Sequence, residues 1–412
     1  MDSPRASVER TFKPLSFPEL VAITAAVMAL NALAIDMMLP ALGIIGDELG
    51  AAEDNDRQLV IVVYILGNGI AQLFFGPIVD RFGRRNVILL SLCGYVAASG
   101  ISVFASSFTL LLVARGLQGM ATAAARVAII ASVRDQVAGR RMAEVMSLAI
   151  TIFMAAPILA PSFGQIVLFT APWRGIFVVL LLYGLAVGLW AFMRMPETLP
   201  RDQRAPLSLK RIFGAYGEFM THRTAIGYTV VSALCFGALF GFITTSEQVF
   251  LDTFEIGELF SIAFAFVAGA LACATLVNAR LVGRFGMRRL THGALLVFVV
   301  ANIIHLAISS VIGETLAMYM VFMGVSFFCL GLIGPNCSAI AMQPMGHIAG
   351  AAAAANGFAG TTLAGFLGAV IGRFYDGTTA PVVTGFAVLG IVALMVAILV
   401  ENGRLFQTHE PV

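Results

Sequence analysis

Asp36 is the residue in this sequence with the clearest chemistry open to it. It is the only carboxylate placed well inside a long apolar run; Glu144, Glu247 and Glu314 fall near the ends of theirs. A charge in hydrocarbon is costly, and an ionisable group held there marks function by default. A carboxylate that alternates between an apolar and a watery environment takes up and releases a proton, whereas one locked in an ion pair is structural. Arg115 is the expected cation beside it: at about 1.5 Å per residue, both lie roughly 9–10 Å from the same ends of their runs. Arg115, Gln118, Thr122 and Arg126 follow i, i+3, i+7 and i+11 on one helical face. Tyr64, Asn68 and Gln72 make a second row at i, i+4 and i+8. Polar rows in apolar helices face a cavity or a neighbouring helix. Arg126 has no acid at its depth, so it either snorkels to the interface or lines a cavity. In a cavity, two arginines against one aspartate would suit neutral or anionic compounds better than cations. Met28, Phe153, Met154, Phe236, Phe240 and Phe328, near the midplane, offer an adaptable apolar wall.

Other chemistries lack their residues. A phosphate-binding loop needs a lysine after a glycine-rich turn, and the two lysines, Lys13 and Lys210, have no such setting. No Ser-His-Asp set or metal-ligand cluster is spaced for catalysis, so no enzyme activity, cofactor or metal is expected. His305, alone in mid-run, is expected to be a hydrogen-bonded core residue. The five cysteines, Cys93, Cys235, Cys273, Cys329 and Cys337, form no C-x-x-C pair and are expected to be buried small hydrophobes. A net charge of +2 without a basic stripe excludes nucleic acid as a partner.

The elements that must hold these residues are membrane helices. Of 412 residues, 59% are hydrophobic and only 12% charged, at a mean hydropathy of +0.93. That leaves too little polar surface for a soluble domain, so membrane lipid is the solvent. A crossing helix needs about 20 apolar residues, and continuous runs exclude a barrel. Twelve spans are predicted at 20–42, 58–79, 87–105, 108–132, 143–168, 173–193, 224–248, 258–279, 291–310, 314–336, 351–372 and 382–400. Placing both termini in the cytoplasm puts 20 of the 25 Lys and Arg residues on that side, including Arg5, Arg10 and Lys13, with only Arg57, Arg174 and Arg373 outside. Trp173 and Trp190 are expected as aromatic anchors at the two ends of the sixth span.

A polar, proline-bearing connection over 194–222 (Pro196, Pro200, Pro206) divides the chain into a bundle of 1–193 and a bundle of 223–412. The loop after span two, Val79-Asp80-Arg81-Phe82-Gly83-Arg84-Arg85, aligns with Val282-Gly283-Arg284-Phe285-Gly286-Met287-Arg288 at an offset of 203 residues. The repeat predicts an all-α membrane protein of two pseudo-symmetric six-helix bundles with a central site.

Gly76-Pro77-Ile78-Val79-Asp80-Arg81-Phe82-Gly83-Arg84-Arg85 resembles the signature loop of the major facilitator superfamily. Arg115-Gly116-Leu117-Gln118-Gly119 resembles the family's R-x-x-Q-G motif, and Ala156-Pro157-Ile158-Leu159-Ala160-Pro161-Ser162-Phe163-Gly164 its antiporter motif. With Asp36-Met37-Met38-Leu39-Pro40 and Val133-Arg134-Asp135, the set is similar to the bicyclomycin/chloramphenicol-resistance type of drug:proton antiporter. The resemblance implies a monomeric, inner-membrane exporter of drugs or small lipophilic compounds, exchanging a proton through Asp36 with Arg115 tuning it. It implies that Pro157, Pro161 and Gly164 shape the fifth span for antiport. It also implies that Gly76, Asp80, Arg81, Gly83, Arg84 and Arg85 form a gate, with Asp80 meeting the N-terminus of the eleventh helix in one state. Export of an endogenous metabolite such as a sugar, amino acid or siderophore-like product stays open, and a multi-pass receptor or membrane enzyme is a more distant alternative.

Overall fold

The computed structural model describes residues 14–204 and 209–407; Arg5, Arg10, Lys13 and Pro206 lie outside them. Among the described residues all regular structure is helical. α1 (Phe17–Asp36) passes through a short turn at Leu39–Ala41 into α2 (Leu42–Leu49), so one span is broken in two. Pro40 explains the break, since it cannot donate to the Asp36 carbonyl and its ring crowds it. Then follow α3 (Leu59–Phe82), α4 (Arg84–Val103), α5 (Phe108–Gln136), α6 (Gly139–Thr170) and α7 (Arg174–Arg194). α8 (Leu209–Thr221) precedes α9 (Arg223–Gln248), α10 (Phe260–Phe285), α11 (Met287–Ile312), α12 (Leu316–Met342), α13 (Ala349–Arg373) and α14 (Ala380–Val400). A non-helical Met345 separates α12 from α13, which makes twelve crossings, as the apolar runs predict. α10 and α12 each run six residues past the expected ends, because hydropathy stops at the first polar residues while the backbone ladder does not.

The 203-residue repeat is visible in the backbone. Gly83 and Gly286 each join two helices at φ +94° and +80°, a left-handed region that suits glycine and strains any residue with a Cβ. Gly76 is different: it lies inside α3 and makes no turn. The 194–222 connection is not simply polar loop either. α8 is amphipathic and buries Tyr216 and Phe219 against Met345, Ala352 and Ala354 at the start of α13.

α3 packs on α5 and α13, and α6 on α1 and α10, so α3–α13 and α6–α10 join the first six crossings to the last six. Exposed side chains such as Phe163, Ile166, Phe169 and Leu189 on α6 and α7 form an apolar outer surface suited to lipid. Trp173 departs from its expected role as an interfacial anchor: it is 1% exposed and donates to Glu48 at 2.6 Å. Cys235, Cys329 and Cys337 are buried as expected, but Cys93 and Cys273 face outward because their helix faces do. His305 is buried and hydrogen-bonded to Glu314 at 3.0 Å, as expected of a core residue.

Candidate functional site

The break in α1 organises the site. Asp36 ends the helix, is 4% exposed, and its carboxylate has no hydrogen bond or ion pair among the described residues. α6 presses directly against the break: a Cβ on Gly164 would sit 1.9 Å from the Met37 carbonyl oxygen. α6 also runs unbroken through Pro157 and Pro161, so the antiporter-motif residues shape the helix that contacts the residue next to Asp36.

Arg115 does not pair with Asp36, contrary to the sequence expectation. Its Nε donates to the Val60 carbonyl at 3.1 Å and its Nη2 to the Ala34 carbonyl at 2.8 Å. Its Nη1 donates to Gln118, and the guanidinium lies 4.4 Å from the Tyr64 ring centroid. In an unbroken helix the Ala34 carbonyl would accept from the Met38 N–H; at the break Arg115 takes that place. Matching depths located both residues correctly along their helices. The direction of each side chain around the axis separates them.

A cavity of about 310 Å³ lies between the first six and last six crossings. Tyr64, Asn68, Gln72, Arg126, Phe236 and Phe240 line it. Met28, Gln118, Thr122 and Phe153 do not, and this corrects their assignment to the cavity. Gln118 is drawn away by Arg115 and by Ser99, to which its amide donates at 2.8 Å. Thr122 stands behind the wall, bonded to Tyr64 Oη at 2.8 Å and accepting from Asn68 at 3.2 Å. Met28 is buried within the helix bundle, and Phe153, half-buried at the middle of α6, is not among the lining residues.

Asn31 was missed by sequence reasoning. Its carbonyl accepts from Tyr64 at 3.1 Å and from Asn68 at 3.1 Å, which joins α1 to the polar row of α3. Asn356 and Thr361 on α13 were missed too; Gln72 donates to Thr361 at 3.2 Å across the cavity. Their signal was available: these are isolated polar residues in the Ala- and Gly-rich eleventh span.

The gate loop centres on Arg84 rather than Asp80. Arg84, 5% exposed, pairs with Asp80 at 3.0 Å and Asp135 at 2.9 Å and donates to the Val79 carbonyl at 3.0 Å. Its backbone N–H donates to Glu197 at 2.9 Å, and Arg85 donates to the Phe192 carbonyl at 2.8 Å. Arg81 is exposed. Among the described residues Asp80 has no hydrogen bond or ion pair to α13.

The opposite face carries the contacts that hold the halves together. Arg57 pairs with Glu247 at 3.3 Å and with Asp252, and Arg373 with Glu53 at 2.7 Å and Asp56 at 3.1 Å. Glu247 also accepts from the Gly43 N–H at 3.2 Å, and Gln58 donates to Gln248. Among the described residues, every ion pair joining the first six crossings to the last six lies at this face; those at the face of the chain ends stay within one half. The ion pairs that cross between the halves are thus confined to this face, although α3 also packs on α8 and α13 toward the other face, Tyr216 donating to the Leu73 carbonyl at 2.5 Å and Gly76 facing Ala354.

A Major Facilitator Superfamily model matches residues 24–369. The multidrug resistance protein MdtL of Escherichia coli O139:H28 is 28% identical over 385 residues, covering 92% of this chain and 94% of its own. The bicyclomycin resistance protein homolog of Haemophilus influenzae is 28% identical over 354 residues, covering 84% and 87%. YdgK of Bacillus subtilis, an uncharacterized MFS-type transporter, is 29% identical over 350 residues, covering 83% and 86%. Among solved structures, the human organic anion transporter MFSD10 (TETRAN) superposes with a TM-score of 0.66 at 18% identity, over 93% of this chain and 100% of its own. That likeness is one of fold. With the family model spanning most of a twelve-crossing helical chain, the protein belongs to the Major Facilitator Superfamily and is a multi-pass membrane transporter rather than an enzyme.

Proposed function

We propose that this transporter is a proton-coupled antiporter that exports drugs or other small lipophilic compounds across the bacterial inner membrane. The bundles of 1–193 and 223–412 rock about the central cavity, and both termini are cytoplasmic, a reading supported by the 20 cations on that side. The relatives named for multidrug and bicyclomycin resistance support a drug as cargo.

The observation that carries the proton step is Asp36, a buried carboxylate without a partner, at a helix break and next to the cavity-lining Ile35. A break lets the carboxylate change surroundings without moving a whole helix. Arg115 then acts as a positioning residue: it holds the Ala34 carbonyl, two residues from Asp36, and fixes the break. In this reading the Arg57–Glu247 latch closes the outer face, and opening it while Asp80 engages the α13 N-terminus gives the other state. An exposed contact of that kind is worth about 0.3–1 kcal/mol, rising to roughly 2 when partly buried.

Expression in a bacterial host stripped of its own exporters is expected to raise bicyclomycin tolerance, and Asp36→Asn to remove the gain at equal membrane abundance. An Asp36→Asn protein that protects as well as its parent would contradict the assignment. Asp80→Asn is expected to slow transport while leaving drug binding largely intact.

A further inference from the structure

Arg126 is a cation in the middle of the membrane-spanning region with no partner of its own. It lies ten residues, about 15 Å, from the end of α5. It lines the cavity, its side chain is exposed there, and no hydrogen bond or ion pair ties it to the described residues. No Asp or Glu is among the residues lining the cavity, so the one formal charge on that wall is positive. An arginine held at this depth is normally paired or functional. Arg115, by contrast, is fully engaged with carbonyls and Gln118.

No carboxylate faces Arg126 across the cavity, Asn31 adds unengaged donors, and Asn356 donates to Ser338 at 3.3 Å. Asn31 spends its carbonyl on Tyr64 and Asn68, and its amide N–H groups have no acceptor among the described residues. Asn356 accepts from Thr229 at 2.7 Å through its own carbonyl. Facing this wall are the side chains of Phe236 and Phe240. A guanidinium presents a planar fork that fits a carboxylate, and a like-charged ligand would meet it unshielded. The volume is at the small end of those that hold drug-sized ligands, about 300–1,000 Å³.

We propose that the cavity is a site for aromatic or apolar carboxylates, with the ligand's carboxylate on Arg126 and its apolar body against Phe236 and Phe240. The inference rests on reading this cavity as the cargo site and names one chemical class of cargo it takes besides uncharged drugs. The experiment is fluorescence titration of the purified full-length protein with dansylglycine and with its neutral amide, dansylglycinamide. Dansylglycine is expected to bind at least about tenfold tighter, Arg126→Gln to bring the two within about twofold, and Arg126→Lys to keep most of the preference. Equal binding, no binding of either probe, or a preference that survives in Arg126→Gln would overturn it. Binding is read without a gradient, so a protein that exports nothing but still selects the carboxylate would separate failure of the export reading from failure of this one.

Discussion

Arg57 and Glu247 meet across the two halves with their side chains 14% and 4% exposed, so their attraction is only weakly screened. Removing one partner of a buried pair costs about 3–5 kcal/mol when the other charge is left unpaired, and less here because Arg57 keeps Asp252. Glu247→Ala is therefore expected to favour the state open at this face. Spin labels at Ala51→Cys and Thr378→Cys should show a longer-distance population in that variant, and an unchanged distribution would remove Glu247 from the latch. The sequence located both residues but suggested no role for either, because each stands at the end of an apolar run where charges are ordinary. Asp36 and Arg126 were legible for the opposite reason, being charges far from any such end. Their partners were not legible: periodicity gives depth and relative angle on one helix, but no common reference between helices. Arg115 therefore matched Asp36 in depth while donating to the Ala34 carbonyl instead.

At the scale of the elements, the motifs mark places where backbones meet. Gly164 faces the Met37 carbonyl so closely that a methyl group would have to displace α6 or the α1 break. Gly164→Ala is expected to fold, with lowered thermal stability, and to lose most transport; full activity would show that the α1–α6 contact has no part in the cycle. Gly83→Ala would carry a left-handed strain of roughly 1–2 kcal/mol and meet the Glu197 carboxylate. Its melting temperature should fall, and a melting temperature equal to the parent's would contradict the turn's role. The twelve crossings were legible because apolar length alone specifies them. α8 was not, since an amphipathic interfacial helix has the composition of a polar connection, and only its burial of Phe219 on α13 distinguishes it.

For the whole molecule, ion pairs that join the halves at one face only are what the proposed alternating-access cycle requires of one of its states. Gln165 on α6 accepts from Ser261 on α10 at 2.6 Å at the latched face. A short bis-maleimide joining Gln165→Cys to Ser261→Cys should stop transport while leaving ligand binding from the other face intact. Continued transport by the cross-linked protein would argue against rocking of the halves. The two-bundle plan was readable from the 203-residue repeat, whereas the state could not be, because one sequence encodes both ends of the cycle.

The proposed proton exchange at Asp36 is tested most directly in inverted membrane vesicles whose lumen has been acidified and loaded with a pH-sensitive dye. Addition of bicyclomycin to vesicles carrying the parent protein should raise the luminal pH as protons leave in exchange for the drug. Asp36→Asn vesicles should give no such rise while still binding the drug. A rise of equal size in the Asp36→Asn vesicles would show that the proton travels by another route.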